Sequence, residues 1–239
     1  MSQAWLITGA NRGIGLELVK IVSSHNIVFA SARNPAKATE LEQLASRNSN
    51  IHVIKLESTS VADATAAAHL IDAVAGGLDV VVSNAGIAND WNKVTEVSVE
   101  SLKEHFNVNA VGPLILFQAM YPLLLKRQTR KFITMSTIAA SLQLQIDVPH
   151  TVYGTSKVAL NFITRSIDQE HSGQGFIAFP IHPGMVNTDM GQSAAPLFGL
   201  EKMALTPEES ALAVFKVIDK ATSQQSGRFL NYDGTDLDW

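Results

Sequence analysis

Two side chains with complementary chemistry stand four residues apart in "HTVYGTSKVAL", residues 150–160: the phenol of Tyr153 and the ammonium of Lys157. On a helix, positions i and i+4 share one face about a turn apart, so both groups point the same way. A phenol titrates near ~10 in water, and a nearby cation favours its anion, which makes it a stronger acid. Bringing it to ~7 takes roughly 4 kcal/mol of electrostatic stabilisation, within reach of one lysine plus a cationic cofactor. The same spacing also describes a solvated surface pair, so the remainder of the chain has to decide.

A second chemical feature sits near the N-terminus. An apolar run leads into "TGANRGIG", with Gly9, Gly13 and Gly15 spaced GxxxGxG and an amphipathic stretch following. Glycines permit a tight turn and close backbone approach to a pyrophosphate, whose charge suits the N–H groups and dipole of a helix start. After the second apolar run, "SARNP" places Arg33 where dinucleotide sites that take NAD commonly carry an acid for the ribose 2′-hydroxyl. A cation there suits a 2′-phosphate, and Arg12 in the glycine loop would flank it, so NADPH/NADP+ is the expected cofactor. In "VSNAGIA", Asn84, Ala85 and Gly86 form a strand-end turn whose small residues allow a ligand to approach; an ordinary turn fits as well.

These groups need a scaffold that brings strand ends together. Short apolar runs at residues 4–8, 27–32, 51–56, 78–84, 131–135, 175–181 and 227–232 alternate with helical patterns at 13–24, 36–47, 60–75, 98–125, 152–171 and 206–224. That alternation predicts an α/β fold: a doubly wound parallel sheet of seven strands with helices on both faces, in one domain. Ligands then belong at the carboxyl ends of the strands, where the winding reverses. Stretches 138–151 and 190–205 are expected to be irregular and to lie beside the site. The 239 residues, 46% apolar and 17% charged, suffice for a large core. A net charge of −4 offers no footprint for nucleic acid or an anionic membrane, and the absence of cysteine excludes disulfides and thiolate chemistry. No signal-peptide pattern and no bilayer-length segment stand out, so a cytoplasmic protein is expected. The seven histidines show no metal-ligand spacing, and no GxSxG elbow appears.

In this order and at these separations, "TGANRGIG", "SNAG", "NVNAVGP", "YGTSK" and "HPGMVNTDM" resemble the short-chain dehydrogenase/reductase superfamily over essentially the whole chain. The ending "SGRFLNYDGTDLDW" is similar to that of small carbonyl reductases of the C-factor and sniffer type and of fungal ketoreductases resembling norsolorinic acid ketoreductase. The resemblance implies a Rossmann domain over residues 1–239, with 1–135 mainly for the cofactor and 136–239 carrying the catalytic helix, substrate loops and last strand. It implies Tyr153 as acid/base, Lys157 on the nicotinamide ribose and lowering the tyrosine pKa, and Asn109 in a water relay. Asn11 and Ile14 would join the glycine loop around the cofactor. Pro183, Gly184, Val186 and Thr188 would face the nicotinamide and phosphates. Two positions depart from the family pattern. Ser136 and Thr137 stand where a Ser-Ser pair is usual, and Thr137 falls at the substrate-binding place; either hydroxyl is a candidate. Glu57 replaces the aspartate that usually meets the adenine.

The expected activity is NADPH-dependent reduction of a ketone, aldehyde or quinone. Leu142, Leu144, Ile146 and Val148, with Met190, Leu197, Phe198 and Leu200, would wall a pocket for a bulky apolar or aromatic carbonyl, with His150 at its border. Two other readings keep the fold: non-redox chemistry such as dehydration, and a non-catalytic NADPH sensor. A homodimer or homotetramer would pack helices holding Leu114, Phe117, Leu160 and Phe162, positions equally suited to packing on the sheet.

Overall fold

The computed structural model describes residues 2–144 and 146–239. The expected pocket stretch 138–151 therefore includes one position, Gln145, that lies outside the described residues. Strands β1 (Ala4–Ile7), β2 (Ile27–Ala32), β3 (Ile51–Lys55), β4 (Val80–Ser83), β5 (Lys131–Met135), β6 (Ile177–His182) and β7 (Leu230–Asn231) form one sheet in the order β3-β2-β1-β4-β5-β6-β7. Every strand pairing is parallel. Helices α1 (Gly13–Val22), α2 (Thr39–Arg47), α3 (Val61–Ala75), α4 (Val99–Phe106), α5 (Gly112–Leu125), α6 (Thr151–His171), α7 (Asp189–Ala194) and α8 (Pro207–Lys220) connect them. The doubly wound sheet read from the alternation is the one observed.

Parallel strands must be covered on both faces, which is why β1 and β4 are apolar at almost every position and buried throughout. Side chains alternate between faces. Trp5, Ile7, Val28 and Ala30 meet α1 and α8 through Leu18, Val214 and Ile218. Leu6, Phe29, Val81 and Phe132 meet α3, α5 and α6 through Ile71, Met120 and Ile167. Each such side chain, fully buried, contributes roughly 1.5–3 kcal/mol to holding the helices on the sheet. Helix ends follow from local chemistry: Ser60 caps α3 by accepting from the Asp63 N–H, and Gly76 ends it at φ 67°. Thr206 and Glu209 form a reciprocal capping box at the start of α8.

Three expectations need correction. The single helix expected over 98–125 is broken by a π-helical turn at Asn107–Val111. Pro113 has no N–H with which to close the usual bond to the Asn109 carbonyl, and the Gly112 N–H instead reaches back to the Asn107 carbonyl. The stretch 190–205, expected to be irregular, holds most of α7 and a 3-10 turn at Ala195–Phe198. A six-residue helix is too short to show periodicity, and it forms because the Thr188 hydroxyl accepts the Gly191 N–H at 3.1 Å. Finally, Val99–Leu125 is long and apolar enough to cross a bilayer by length and composition. Its apolar residues Leu116, Phe117, Met120, Leu123 and Leu124 are instead buried in the core beneath the sheet. Of the positions considered for a helix–helix interface, Phe117 and Leu160 are buried, whereas Phe162 is 72% exposed on α6.

Candidate active site

The winding reverses between β1 and β4, and the turns leaving these two strands are tied together there. The Thr8 hydroxyl accepts N–H groups from Asn84 at 2.9 Å and Ala85 at 3.0 Å. The Asn84 amide donates back to the carbonyls of Thr8 at 2.8 Å and Gly9 at 3.2 Å. This clasp explains the glycines. A Cβ on Gly9 would lie 2.9 Å from the Ala85 Cα, and one on Gly15 would lie 2.5 Å from the Gly9 carbonyl oxygen. Gly13, at φ +56°, would meet the Thr188 methyl at 3.1 Å. Asn11 and Arg12 are exposed on the loop, and Ile14 packs against the core. The start of α1 has no side-chain cap and no acid in its first turn, so its N–H groups are available to an anion. A pyrophosphate fits this cradle.

Past the end of β2, Arg33 is 82% exposed and lies 3.7 Å from the Glu57 carboxylate. Glu57 thus lies beside Arg33 at the end of β3, with its backbone N–H donating to the Asp63 carboxylate. Arg12, expected beside Arg33, instead donates to Asp189 at 2.5 Å. Both partners are more than two-thirds exposed, and such a pair is worth at most about 1 kcal/mol, so an incoming phosphate can compete for the guanidinium.

The catalytic candidates converge at the mouth of β5. The Thr137 hydroxyl, which accepts the Ala139 N–H at 3.2 Å, lies close enough to the Tyr153 phenol to favour its anion. Ser136, one residue earlier, points to the opposite side of the strand and donates to the Asn161 Oδ1 at 2.5 Å, with 3% of its surface exposed. Period-two alternation therefore separates the two hydroxyls: Thr137 faces the phenol and Ser136 locks β5 to α6. The expectation that Ser136 could hold the substrate oxygen is corrected on this ground. Asn109 uses its side chain to bind both backbone groups of Ile87, at 2.9 Å each, and to donate to the Ser156 hydroxyl. Gly86 leaves room for this group, because a Cβ there would lie 3.0 Å from the Asn109 Oδ1 and 3.4 Å from the Lys157 Nζ.

Lys157 is 4% exposed, and its ammonium donates to the Met135 carbonyl at 2.7 Å. Its Nζ lies 5.9 Å from the centre of the Tyr153 ring. Burial pushes the lysine pKa down to about 8. Burial of the phenol pushes Tyr153 up to about 12, opposed in part by the nearby Thr137 hydroxyl. The expected depression of the tyrosine by Lys157 is thus absent in the protein alone. The ammonium is aimed at a carbonyl rather than the phenol, and desolvation weakens its own charge.

Beyond β6, the Ser210 hydroxyl fixes the Pro183 carbonyl at 2.7 Å. Gly184 is at φ +87°, and a Cβ there would lie 2.5 Å from a Leu205 methyl. Val186 bridges Leu205, and Thr188 caps α7, so the segment runs along the same crevice as the glycine loop. Among the expected pocket walls, Leu142 and Leu144 are exposed at 82% and 40%, pointing to solvent instead. Met190, Leu197, Phe198 and Leu200 are each a little over one-third exposed. His150 folds back over Gly154, with its Nδ1 2.6 Å from the Val148 carbonyl. Sequence reasoning missed Trp91. Its ring meets Tyr153 edge-on with centroids 5.8 Å apart, and it packs on the cluster of Ala194, Ala195 and Met203. A lone tryptophan in the polar stretch "ANDWNKV" after β4 was the available signal. Among the described residues, no group of His, Asp and Glu is placed to hold a metal ion.

The sequence profile described as short chain dehydrogenase matches residues 3–196. The chain belongs to the short-chain dehydrogenase family. It is 37% identical to an oxidoreductase of Schizosaccharomyces pombe, over 99% of this chain and 98% of that one. It is 34% identical to the norsolorinic acid ketoreductase of Emericella nidulans, over 98% of this chain and 93% of the relative. The fold superposes on the carbonyl reductase Sniffer of D. melanogaster with a TM-score of 0.93 at 34% identity, each chain fully covered. It superposes on the NADPH-bound carbonyl reductase from chicken fatty liver with a TM-score of 0.91 at 32% identity, over 100% of this chain and 94% of that one. As a short-chain dehydrogenase it is an oxidoreductase similar to carbonyl reductases.

Two predictions follow from the site's geometry. In the cofactor-free protein the buried Lys157 binds fewer protons than the unfolded chain between about pH 8 and its ordinary value of 10.5, so stability should rise with pH across that window. Lys157→Met should remove part of that rise and lift Tm at neutral pH by a few degrees while abolishing turnover, as read by calorimetry and assay. The two hydroxyls should also separate in kinetics. Thr137→Val should lower kcat by about a hundredfold with little change in Tm, whereas Ser136→Ala should lower Tm and leave most of kcat. A reversed pattern would return the catalytic role to Ser136.

Proposed function

We propose that this short-chain dehydrogenase is an NADPH-dependent carbonyl reductase acting on a bulky apolar or aromatic ketone, aldehyde or quinone. The observation that carries the reading is the convergence, just past the carboxyl end of β5, of the Tyr153 phenol, the nearby Thr137 hydroxyl and the buried Lys157 ammonium, in a fold whose glycine loop suits a dinucleotide. Similarity to an NADPH-bound carbonyl reductase and to a norsolorinic acid ketoreductase supports the same class. NADPH, when bound, supplies a hydride to the carbonyl carbon.

The protein's own groups manage the oxygen. Thr137 and Tyr153 both donate to the substrate carbonyl, which holds it and polarises it. As negative charge develops on that oxygen, the Tyr153 proton moves to it and leaves a phenolate. Lys157 stands near enough to stabilise the phenolate once the proton has left. The raised tyrosine pKa suits this direction, because the phenol stays protonated across the neutral range and is ready to donate. The partly exposed apolar residues Met190, Leu197, Phe198 and Leu200 provide the apolar surface on which a large substrate would rest. At the far end, Arg33 supplies the charge that a 2′-phosphate requires.

The test is NADPH oxidation by the purified protein against ketones, aldehydes and quinones, with Tyr153→Phe as control. Turnover should fall by about a thousandfold in the variant while NADPH still binds. For the wild type, kcat should be level through neutral pH and decline as the phenol loses its proton in alkali, with alcohol oxidation showing the opposite trend. NADPH consumption that survives Tyr153→Phe would overturn the assignment. Arg33→Ala should weaken NADPH binding by roughly tenfold or more and leave NADH unchanged, as measured by titration calorimetry. An unchanged preference for NADPH would remove the basis for the cofactor choice.

A further inference from the structure

The segment after β7 runs back to the catalytic end of the sheet. The Leu237 N–H donates to the Phe229 carbonyl at 2.8 Å, and the Trp239 ring rests on the Phe229 ring with centroids 5.7 Å apart. The Arg165 guanidinium of α6 lies 5.2 Å from the centre of the same indole, within range of a cation–π attraction. The Trp239 main-chain oxygen, held in this way, meets three donors from consecutive residues. It accepts the Leu142 N–H at 3.0 Å, the Gln143 N–H at 3.3 Å and the Ser141 hydroxyl at 3.3 Å. With its proton directed to Trp239, the Ser141 oxygen accepts the Leu144 N–H at 3.0 Å. Backbone groups of a surface loop can be left to water, but here an oxygen 98 residues away in sequence claims them.

Ser141 closes the 3-10 turn Ile138–Ala140 that Thr137 opens. The Ala140 N–H donates to the Thr137 carbonyl at 2.9 Å and the Ser141 N–H to the Ile138 carbonyl at 3.0 Å. The turn presses on α6 one residue past Tyr153, where a Cβ on Gly154 would come within 2.9 Å of the Ala139 carbonyl oxygen. One short hydrogen-bonded turn thus has the Thr137 hydroxyl at one end and the Trp239 contact at the other.

We propose that Trp239 is a positioning residue: by holding Ser141, Leu142 and Gln143 it fixes the turn that keeps the Thr137 hydroxyl beside the Tyr153 phenol. This rests on the reductase reading and deepens it, because Trp239 acts through the turn rather than on the reacting atoms. The main-chain oxygen survives any substitution at 239, so the ring is what places it. Trp239→Ala should release the clamp, and Trp239→Phe, which keeps a ring for Phe229 and Arg165, should retain it.

The first test reads NADPH-dependent reduction of 4-nitrobenzaldehyde and 9,10-phenanthrenequinone. Trp239→Ala should lower kcat by about tenfold and change the KM for NADPH less than about twofold, with Trp239→Phe within about threefold of wild type. In a Thr137→Val background, where the hydroxyl is already gone, Trp239→Ala should cost less than about twofold more. A full loss in that background as well, or no loss in the wild-type background, would overturn the inference.

The second test is independent of turnover. Amide hydrogen exchange in the cofactor-free protein should quicken by about tenfold or more at Ala140, Ser141, Leu142 and Gln143 in Trp239→Ala, and stay unchanged in β5. If Trp239→Ala does not fold, Ser141→Ala, which removes one of the three donors, should show the same pattern of exchange. Unchanged exchange at these amides would overturn the inference even if kcat falls. Faster exchange in a protein whose wild type reduces neither probe would uphold the clamp and count against the reductase reading instead.

Discussion

The site depends on how closely two strand-end turns approach each other. The Thr8 hydroxyl and the Asn84 amide tie β1 to β4 through four short bonds, at the one place where helices leave the sheet toward opposite faces. Almost everything else about the cofactor crevice follows from this clasp. Gly9 and Gly15 are glycines because the turns are pressed together, which answers a question about packing before any about ligand. The α1 N-terminus opens into the crevice as a consequence, and the anion site arises from backbone groups that the clasp has oriented.

The catalytic end carries a cost that the fold does not relieve. A lysine with a single carbonyl acceptor is held almost fully buried, and a phenol nearby is kept from ionising by the same dry surroundings. Each group is destabilised in its charged form, yet the proposed reduction would need the charged phenolate for an instant and the ammonium beside it. In the protein alone the two groups are not coupled, since the ammonium is turned to Met135. Coupling therefore has to be created by whatever occupies the crevice between them. A site of this kind is prepared for a ligand rather than for its own stability, and the rest of the core supplies the difference.

The sequence made the sheet and the principal helix legible because both depend on patterns within a few residues. Alternating buried runs revealed the seven strands, and the i, i+4 spacing placed Tyr153 and Lys157 on one face of α6. What remained hidden depends on distant partners. Nothing near Ser136 indicates that Asn161 will claim its hydroxyl, and that contact is what leaves Thr137 to the phenol. The direction of the Lys157 ammonium is set by a carbonyl 22 residues away in sequence. The π-helical turn is an intermediate case: the missing N–H of Pro113 was readable, but its consequence appears only once Asn109 is tied to Ile87.

Trp91 and α7 show why the substrate side was the least legible. The loop after β4 and the short helix after β6 have no periodicity, and each acquires its shape from the other: the indole rests on Ala194, Ala195 and Met203. The same helix is joined to the glycine loop, through Arg12 and Asp189 and through the Thr188 methyl against Gly13. One six-residue element thus touches both the loop fitted to the cofactor and the wall beside the catalytic phenol. The Arg12–Asp189 pair is exposed and weak, so a phosphate that draws Arg12 away would also free one end of α7. Because α7 also bears on Trp91, the glycine loop and the surroundings of Tyr153 are packed against one and the same short element.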